Sequence, residues 1–600
     1  MVGVGAELDA RFSKRHEEID AKTKVLLERE PAKAVANLAE IRENIAHNER
    51  SRKIKDIGAR ELSALWSGQL SAEEASALAS VTQAAQGVSG GRILGNVESA
   101  VTWAEEHLFD RKSVVQEHEL WRHALEHARG QDIECETVRE ATRNRPYVRG
   151  AANRRKVTTK DVLRREWTIL ELAKHGRGEF AALNARHPLG DSALDAEQRK
   201  AVEMILMSRD FLTLFRGGAG TGKSFALREV GKGIEAAGLT VVVVAPQRQQ
   251  VMDLMRDGFP NVQTVSEFLT RKKLRRASVV IVDEAGQLGA KQMLELLSFI
   301  RESDGRVIAS GDTRQHGAVE ASDALRAIER YGGLRAAELT TVRRQDPDRA
   351  ADPTEREFIE QYRRAVKEAA AGRMEDSFDR LDEHGAIVSC SLADQQAKLT
   401  ADFLRIASGG HSSVVVAQTW SEIHKVNTAI RDALKASGYL GPLETTVSAL
   451  ERVDLTSAQK RDARFYQPGT IVVLNRDCGR FRKGQSGKFV GVTRNGIVLQ
   501  VEDRIATITM NRVDRLTLCR RHDLALSEGD RLQLKANART GDGSPLANGE
   551  LVTVAKVEKD GHIILKDGRT LAANYRQFVR GYAVTSYASQ GKTVDYGNLY

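Results

Sequence analysis

The sequence predicts an α/β protein built on parallel sheets, with helices before the sheets and short antiparallel strands towards its end. Three observations support this prediction. Short β-branched runs alternate with helical segments after Gly190, a glycine-rich loop joins one such run to the next helix, and Gly, Asn and Asp turns interrupt the stretch from about 465 to 564. Apolar strands that alternate with helices are typical of a parallel sheet covered on both faces.

Length, composition and charge limit the class of protein. The 600 residues are 41% hydrophobic and 29% charged, which predicts roughly three or four domains with sizeable cores. The net charge of +9 favours a polyanionic partner only weakly, because 91 basic residues are nearly balanced by 82 acidic ones. The N-terminal residues lack the apolar segment of a signal peptide, and no run reaches the ~18 to 20 apolar residues of a membrane span. We therefore expect a cytoplasmic protein with no membrane partner.

Two helical segments are predicted before the sheets. Residues 6–85 are rich in Ala, Glu, Lys and Arg, and a Gly/Ser break at 88–91 ends them. A second helical segment runs from 92 to about 180 and contains His123 and His127, one helical turn apart. Because this pair lacks the HExxH order and a third ligand, we interpret it as a solvated helix face rather than a metal site.

Cysteines, tryptophans and one basic cluster have structural interpretations that we prefer. The four cysteines are far apart and form no CxxC pair, which favours free thiols in a reducing compartment over a zinc site. The tryptophans are scattered, and we expect core residues rather than base-stacking platforms: Trp66, Trp103, Trp121, Trp167 and Trp420. The cluster 480–483 mixes basic and aromatic residues, which suits a strand-binding surface and a solvated loop equally.

Six apolar runs are predicted to be strands. Four of them precede residue 311 and two follow it, at 211–215, 240–245, 279–282, 306–310, 386–390 and 413–417. The stretch from 465 to 564 has shorter runs between Asn-Gly and Asp-Gly turns, the signature of a small antiparallel barrel.

A glycine-rich loop predicts a site for ATP and Mg²⁺. It matches GxxxxGK[ST] and consists of Gly217, Gly218, Ala219, Gly220, Thr221, Gly222, Lys223 and Ser224. Glycines let backbone N–H groups curl around phosphates at the N-terminus of the following helix. Lys223 would reach the β- and γ-phosphates, and the Ser224 hydroxyl would ligate Mg²⁺. A chance glycine-rich turn explains the motif less well, because the flanking strand and helix are both predicted.

Two carboxylates follow the apolar run 279–282. At the carboxyl end of a parallel strand, Asp283 can hold Mg²⁺ through water while Glu284 polarises the attacking water. A helix N-cap is the alternative interpretation of an Asp-Glu pair. The glycine-rich loop upstream favours the catalytic one.

These residues resemble the helicase motifs of superfamily 1, RecD-like branch. Residues 218–224, 283–285 and 311–315 are similar to motifs I, II and III, which implies that Gln315 senses the γ-phosphate. The stretch 194–201 resembles the Q motif, which would place Gln198 on the adenine edge. The stretch 339–345 resembles motif IV, with Arg344 as the candidate for the γ-phosphate.

Three further stretches resemble motifs that contact single-stranded DNA. Residues 244–247 and 263–268 look like motifs Ia and Ib, and 582–593 is similar to motif V, which couples ATP to DNA in the family. The resemblance therefore implies single-stranded DNA as partner, movement from 5′ to 3′, and DNA contacts by Pro246, Gln247, Thr264, Thr585 and Gln590.

The match narrows to the MobF-type conjugative relaxase–helicases, through motifs Ia, Ib and III together with residues 11–15 and 157–161. This resemblance adds other conjugative transfer or relaxosome proteins as partners. It implies RecA-like domains 1A and 2A, with an SH3-like β insertion (2B) in the second. The expected divisions are a helical linker at 1–90, a helical domain at 91–190, 1A at 191–375, the start of 2A at 376–464, 2B at 465–575, and the end of 2A with motif V at 576–600.

Two departures from the family limit the expected activity. The N-terminal tyrosine cluster and histidine triad of a relaxase are missing, so we do not expect nicking. Motif VI would follow motif V, but the sequence stops at Tyr600, which leads us to expect a truncated product or a fragment. Because an arginine finger is worth ~10³ to 10⁵ in turnover, we expect very slow ATP hydrolysis even with single-stranded DNA, and a rate higher by on the order of 10² or more when the missing segment is restored.

Three hypotheses follow. The first is an ATP-dependent translocase or helicase on single-stranded DNA that acts in conjugative plasmid transfer. The second is a module that binds ATP and single-stranded DNA with little turnover, because motif VI is absent. The third is a RecD-like DNA repair helicase, which the relaxase-like segment before Leu194 disfavours.

Overall fold

The computed structural model describes most of the chain after residue 58. The described residues are 22, 25, 59–87, 93–189, 193–218, 220–343, 347–350, 352–391, 394–467, 469–479, 481–493, 495–592 and 594–600. The predicted features at 11–15, Ala219, Arg344, Arg480 and Thr593 lie outside them. The chain divides into two units, Met1–Gly95 with Gly130–Asp132, and Asn96–Arg129 with Ile133–Tyr600.

The residues from 59 onwards that the structure describes in the smaller unit form helices and a short parallel strand pair. Its helices are Ala59–Ser67 (α1) and Ala72–Gly87 (α2), and its strands are Ile93–Leu94 (β1) and Gln131–Asp132 (β3). Trp66 in α1 is exposed, so the expectation of a core residue is wrong at this position. The Ala- and Glu-rich composition of α1 and α2 agrees with strong intrinsic helix propensity.

The larger unit begins with helices around a small antiparallel sheet. The helices are Val97–Phe109 (α3), Glu117–His127 (α4), Cys135–Asn144 (α5) and Lys160–His175 (α6). The strands Val115–Gln116 (β2), Val148–Arg149 (β4) and Lys156–Thr158 (β5) pair in the order β2-β5-β4. Asn96 and Thr159 cap α3 and α6 through their side-chain oxygens, which accept hydrogen bonds from Ser99 N and Val162 N.

A six-stranded parallel sheet forms the centre of this unit. Its strands are Leu212–Gly217 (β6), Val241–Ala245 (β7), Val262–Thr264 (β8), Val279–Val282 (β9), Arg306–Gly311 (β10) and Ala336–Leu339 (β11), in the order β11-β6-β10-β9-β7-β8. Every residue of β9 and β10 is buried, as expected for a sheet covered on both faces. The predicted α/β fold with a parallel sheet is confirmed, including the four predicted strands before residue 311.

Helices cover both faces of the central sheet. They are Ala196–Leu206 (α7), Lys223–Ala236 (α8), Arg248–Arg256 (α9), Val265–Arg271 (α10), Ala290–Glu302 (α11) and Ala324–Tyr331 (α12). Apolar side chains of α7 and α8 form one core, and those of α6, α10 and α11 form the other. The strands are therefore held between two apolar layers, and their carboxyl ends open onto loops.

A second, smaller parallel sheet follows. The helices Pro353–Ala370 (α13), Met374–Glu383 (α14) and Gln395–Ser408 (α15) lead to the strand Ser413–Ala417 (β12) and the helix Trp420–Ala436 (α16). The sheet has the order β26-β12-β27, with Ala583–Thr585 as β26 and Tyr596–Leu599 as β27. The strand predicted at 386–390 is wrong: these residues form no strand, and Val388 is 69% exposed. Because β12 pairs with β26 on one side and β27 on the other, residues 386–390 cannot pair with β12.

Two antiparallel sheets lie between α16 and β26. The first has the order β13-β18-β14-β15-β16-β17 and the second β24-β23-β22-β19-β25. The strands are Thr445–Arg452 (β13), Ile471–Leu474 (β14), Ser486–Thr493 (β15), Gly496–Val501 (β16), Arg504–Ile508 (β17), Leu516–Leu526 (β18), Arg531–Leu534 (β19), Leu551–Val557 (β22), Ile563–Leu565 (β23), Thr570–Leu571 (β24) and Phe578–Arg580 (β25). Two short α-helices, Ser457–Lys460 (α17) and Ser586–Ser589 (α18), and the hairpin of Ala538–Arg539 (β20) and Pro545–Leu546 (β21) lie in the same part of the chain. Short 3-10 helices are at Ala285–Gln287, Pro347–Arg349, Ala463–Phe465 and Met510–Arg515.

The antiparallel strands differ from the expected barrel in number and extent. They form two sheets with separate apolar cores rather than one small barrel. The first strand begins at Thr445, before the predicted start of the antiparallel region. It was not predicted because its partner β18 lies far along the chain, so no tight turn marks the pair in the sequence. The SH3-like identity of this region and the domain boundaries stay predictions.

Aromatic rings of α3 and α4 pack together beside the first antiparallel sheet. The Trp103 ring stacks on His127 and His107, with centroids 4.5 and 5.1 Å away, and His107 lies 4.8 Å from His123. The Nδ1 atom of His107 is 2.9 Å from Oγ1 of Thr456. The interpretation of His123 and His127 as a solvated helix face is therefore wrong, because both rings are largely covered by this packing.

These histidines predict a pH-dependent stability. Burial lowers the pKa of His107, His123 and His127 below 6.5, with Arg464 and neighbouring histidines acting in the same direction and Asp110, Glu126 and Asp462 opposing it. The folded state then binds fewer protons than the unfolded chain, so stability falls as the pH drops from 6.5 towards the lowered values. We expect the thermal midpoint of the double variant His107→Asn, His123→Asn to fall less than that of the parent between about pH 7.5 and 5.5. Equal losses in both proteins would contradict the assignment.

Candidate nucleotide-binding site

The loop between β6 and α8 has a backbone that only glycine accommodates easily. Gly220 and Gly222 have φ angles of 73° and 81°, in the left-handed region. A Cβ atom at Gly222 would lie 2.6 Å from Nε2 of Gln198, and one at Gly217 would lie 2.8 Å from Cγ of Lys223. The Thr221 hydroxyl donates to Gly218 O at 2.9 Å and closes the turn. The loop is thus shaped in advance around the N-terminus of α8, where anions bind.

Lys223 and Glu284 form an ion pair at the mouth of this loop. The Nζ atom of Lys223 is 3.2 Å from Oε1 of Glu284, and their side chains are 10% and 21% exposed. Burial raises the pKa of Glu284, the Lys223 ammonium lowers it, and the carboxylates of Asp283 and Asp312 raise it. Lys223 is therefore already neutralised by a carboxylate, and a phosphate that enters the loop competes with Glu284 for it.

The carboxylates after β9 are held by the neighbouring strand. The Ser310 hydroxyl donates to Oδ1 of Asp283 at 3.1 Å, and the register aligns Ala309 of β10 with Val282 of β9. Glu284 has a φ of 50°, a left-handed conformation that costs a non-glycine residue about 1 to 3 kcal/mol and is typical of functional sites. Sequence reasoning missed Ser310, although its place at the end of the strand next to β9 was a usable signal.

Asp312 is a second residue that the sequence did not reveal. It is 8% exposed and accepts hydrogen bonds from the backbone N and Nε of Arg314, both at 3.0 Å. Burial raises its pKa, but these hydrogen bonds and the Arg314 charge outweigh it, so the pKa of Asp312 is lowered. A Cβ atom at Gly218 would lie 3.5 Å from its Oδ2 atom. An ionised carboxylate therefore faces the glycine-rich loop from the end of β10.

Gln198 is buried beside the loop, and its amide has a local role. It is 4% exposed, and its Oε1 atom accepts a hydrogen bond from Asp195 N at 3.2 Å. Asp195 Oδ1 in turn accepts from Gln198 N at 2.9 Å, which caps α7 reciprocally. The Nε2 group is the one that approaches Gly222. Contact of Gln198 with an adenine stays a prediction.

Arg343 occupies the position next to the predicted Arg344. Its Nε atom donates to Oδ2 of Asp195 at 2.7 Å, and its Nη2 atom donates to Glu197 at 3.0 Å. Its backbone N donates to Gly220 O at 2.7 Å. Arg343 therefore ties the start of α7 to the glycine-rich loop. The role predicted for Arg344 stays a prediction, because that residue lies outside the described part of the chain.

Side chains that follow β26 contact those that follow the central strands. The Nε2 group of Gln590 donates to Oε1 of Gln315 at 2.9 Å. Tyr587 lies next to Gln247, whose Nε2 group donates to the Tyr587 hydroxyl at 3.4 Å and to Oε1 of Gln287 at 2.8 Å. Among the described residues, Oε1 of Gln590 is buried without a hydrogen-bond partner. Such an atom costs about 1 to 3 kcal/mol, which favours a ligand or water at this contact.

The residues predicted to touch DNA all follow strands at their carboxyl ends. Pro246 and Gln247 follow β7, Thr264 ends β8, and Thr585 ends β26. The hydroxyl oxygens of Thr264 and Thr585 cap the next helices by accepting from Glu267 N at 3.1 Å and Ala588 N at 3.2 Å. Four of the five predicted residues are therefore at strand ends, the side of an α/β sheet where ligands bind, and the fifth, Gln590, directly follows α18.

Membrane-spanning helices and clusters of metal-binding side chains are both absent from the described residues. No described helix combines the length and apolar character that crossing a membrane requires. Within the same residues, no cluster of at least three His, Cys, Asp or Glu side chains is arranged to hold a metal ion. Ser224 and Asp283 supply one hydroxyl and one carboxylate, which is a set that Mg²⁺ accepts when phosphates and waters complete it.

Comparisons with known proteins give one family match and several relatives. Residues 193–391, which include the glycine-rich loop, match the family described as AAA domain. The chain is 27% identical over 333 residues to the conjugal transfer protein TraA of Agrobacterium fabrum, which covers 54% of this chain and 28% of TraA. It is 22% identical over 480 residues to the multifunctional conjugation protein TraI of Escherichia coli K12, which covers 71% of this chain and 27% of TraI.

These relatives confirm the resemblance to conjugative relaxase–helicases. The chain spans 28% and 27% of the length of the two relatives, so it corresponds to a part of each. Among solved structures it is similar to Bacteroides sp. Pif1 in complex with ADP-AlF4, with 15% identity, a TM-score of 0.30, and coverage of 68% of this chain and 86% of Pif1.

Proposed function

We propose that this chain binds ATP with Mg²⁺ at the glycine-rich loop and uses its hydrolysis to move along single-stranded DNA during conjugative transfer. The observation that supports this most is the 3.2 Å Lys223–Glu284 ion pair, which joins the glycine-rich loop to the residues that follow β9. The names of TraA and TraI support the conjugative context. The direction, 5′ to 3′, rests on the family resemblance.

Each residue of the site has a role in this proposal. When ATP binds, Lys223 leaves its ion pair with Glu284 and contacts the β- and γ-phosphates. Ser224 and Asp283 would hold Mg²⁺. Ser310 fixes the Asp283 carboxylate for that role through its 3.1 Å hydrogen bond. Glu284, once released from Lys223, accepts a proton from the attacking water, and its raised pKa makes it a stronger base. Mg²⁺ supplies charge neutralisation at the phosphates.

Gln315 and Gln590 would couple the state of the bound nucleotide to the contacts with DNA. Gln315 follows β10 in the central sheet, and Gln590 follows β26 in the smaller sheet. A γ-phosphate near Gln315 would offer an acceptor to its Nε2 group and so alter the bond to Gln590. Residues after β26 would then shift against those after β7 and β8, where we place the DNA.

Hydrolysis of ATP with and without oligo(dT) tests the proposed function. We expect oligo(dT) to raise the rate of ATP hydrolysis above the background rate of the Glu284→Gln variant. DNA that contacts both parallel sheets would hold the residues after β26 against those after the central strands. Binding of both ATP and oligo(dT) with no stimulation would instead support a binding module with little turnover.

DNA binding by this chain is expected to weaken with salt and to favour single strands. Phosphate contacts release counterions, so the logarithm of the affinity falls linearly with the logarithm of the salt concentration, with a slope of about −0.7 per phosphate contact. Anisotropy of labelled oligo(dT) between about 50 and 200 mM salt measures the slope. A duplex of the same length is the control. A flat salt dependence, or tighter binding to the duplex, would count against the DNA residues assigned after β7, β8 and β26.

A further inference from the structure

An exposed tryptophan lies on the carboxyl edge of the smaller sheet. Trp420 is the first residue of α16, follows β12 through the cap Thr419, and is 41% exposed. β12 pairs in parallel with β26, with Ala417 opposite Thr585. Trp420 therefore lies at the same edge as the residues that follow β26, and the expectation that it is a core residue is wrong. Trp167 on α6 is also exposed, at 59%.

A lysine from the second antiparallel sheet lies over this indole. The Nζ atom of Lys535 is 4.6 Å from the centroid of the Trp420 ring. Burial lowers the pKa of Lys535 to about 8, with Glu451 opposing and Arg452 adding to the effect. Within the described part of the chain, no carboxylate forms an ion pair with Lys535. Its ammonium is thus partly desolvated and lacks an anionic partner.

The surroundings of this pair favour an anion. His424 lies beside the indole, 5.8 Å between centroids, and pairs with Glu451 at 3.0 Å, so this carboxylate already has a partner. Arg452 is exposed nearby at the end of β13. A partly desolvated ammonium whose contact is an indole face keeps N–H donors to offer, and a phosphate supplies both negative charge and hydrogen-bond acceptors. The exposed surface of an indole packs well against a nucleic-acid base.

We propose that Trp420 and Lys535 together bind one nucleotide of single-stranded DNA, with a base packed on the indole and a phosphate bound by the ammonium. This inference rests on the proposed function, because it adds a contact to the DNA path over the strand ends. It gives the antiparallel sheets a direct part in DNA binding, since Lys535 follows β19. The contact does not depend on the base sequence of the DNA, because every base has an aromatic face.

Anisotropy of labelled oligo(dT) with single variants tests the pair. We expect Trp420→Ala to weaken binding about tenfold or more and Trp420→Phe to retain most of the affinity, because a phenyl ring still stacks. Lys535→Gln should weaken binding and reduce the salt slope by about 0.7, the loss of one phosphate contact. Trp167→Ala is the matched control, since that tryptophan is also exposed and donates to Glu171 at 2.8 Å.

Quenching of tryptophan fluorescence by oligo(dT) provides a second readout. Trp420→Phe is expected to remove more of the quench than Trp167→Phe. Thermal unfolding and binding of a fluorescent ATP analogue, unchanged in Trp420→Ala, would show that this variant is folded.

The outcomes separate this inference from the proposed function. If the parent chain does not bind oligo(dT), the proposed function fails. If the parent binds and Trp420→Ala binds equally well, the pair is not a DNA contact, although the function stands. Loss of thermal stability and of nucleotide binding in Trp420→Ala, or equal weakening by Phe and Ala, would overturn the stacking role and leave a structural one.

Discussion

Glu284→Gln is expected to abolish ATP hydrolysis while ATP binding persists. In the proposed function the Glu284 carboxylate takes a proton from the attacking water, whereas glutamine has the same shape but accepts no proton. General base catalysis contributes about 10² to 10⁴ in rate, so we expect a loss in that range. Binding should be unchanged or tighter, because the substitution removes the competitor 3.2 Å from Lys223. Single-turnover hydrolysis of labelled ATP and titration with a fluorescent analogue measure the two effects.

Glu338→Gln is the matched control for this variant. Glu338 lies on β11 and pairs with Arg216 at 3.5 Å, with its side chain 40% exposed. An exposed pair of this kind is worth little, so the control should hydrolyse ATP at the parent rate. Retention of parent-like hydrolysis in Glu284→Gln would rule out Glu284 as the base and favour another carboxylate, such as Asp312.

Lys223→Ala is expected to abolish measurable ATP binding. Two charge-assisted hydrogen bonds to the phosphates are lost, each worth about 1.5 to 3 kcal/mol, which together lower affinity by roughly 10² or more. The loss also leaves Glu284 without its cation among Asp283 and Asp312, so this carboxylate cluster repels a triphosphate. Titration with a fluorescent ATP analogue in the presence of Mg²⁺ measures the loss.

Two further variants show whether the loss of ATP affinity originates at Lys223 and its contact with Glu284. Lys232→Ala removes an exposed lysine of the same helix that pairs with Glu229 at 3.0 Å, and it should bind ATP as the parent does. The double variant Lys223→Ala, Glu284→Gln should regain part of the lost affinity, because one of the repelling charges is removed. Parent-like binding by Lys223→Ala alone would show that the phosphates do not occupy this loop.

The glycine-rich loop and the two carboxylates could be predicted because their signals are local. The loop needs a strand, left-handed glycines and a helix within one short segment, and Gly220 and Gly222 adopt that conformation. Asp283 and Glu284 directly follow a strand whose residues are all buried. In both cases the residues that determine the geometry are neighbours in sequence, so the pattern of residue types is enough to predict the local structure.

The residues that sequence reasoning missed act across long distances in the chain. Ser310 reaches Asp283 only through the pairing of β10 with β9, and Arg343 reaches Asp195 from the other end of the domain. The strand expected at 386–390 failed for a related reason, because β-branched composition does not reveal whether a sheet edge is available. The same limit applies to Lys535 and Trp420, which meet only in the folded chain.

In the proposed function, nucleotide at the glycine-rich loop and DNA at the strand ends are linked through the Gln315–Gln590 contact, 2.9 Å long. The most direct test is the affinity for oligo(dT) with and without a non-hydrolysable ATP analogue and Mg²⁺. Linkage requires that each ligand change the affinity for the other by the same factor, typically about 5- to 150-fold. We expect a change of that order in the parent and none in Lys223→Ala, which still binds oligo(dT). An affinity for oligo(dT) that is identical with and without the analogue, in a parent chain shown to bind both ligands, would contradict the account.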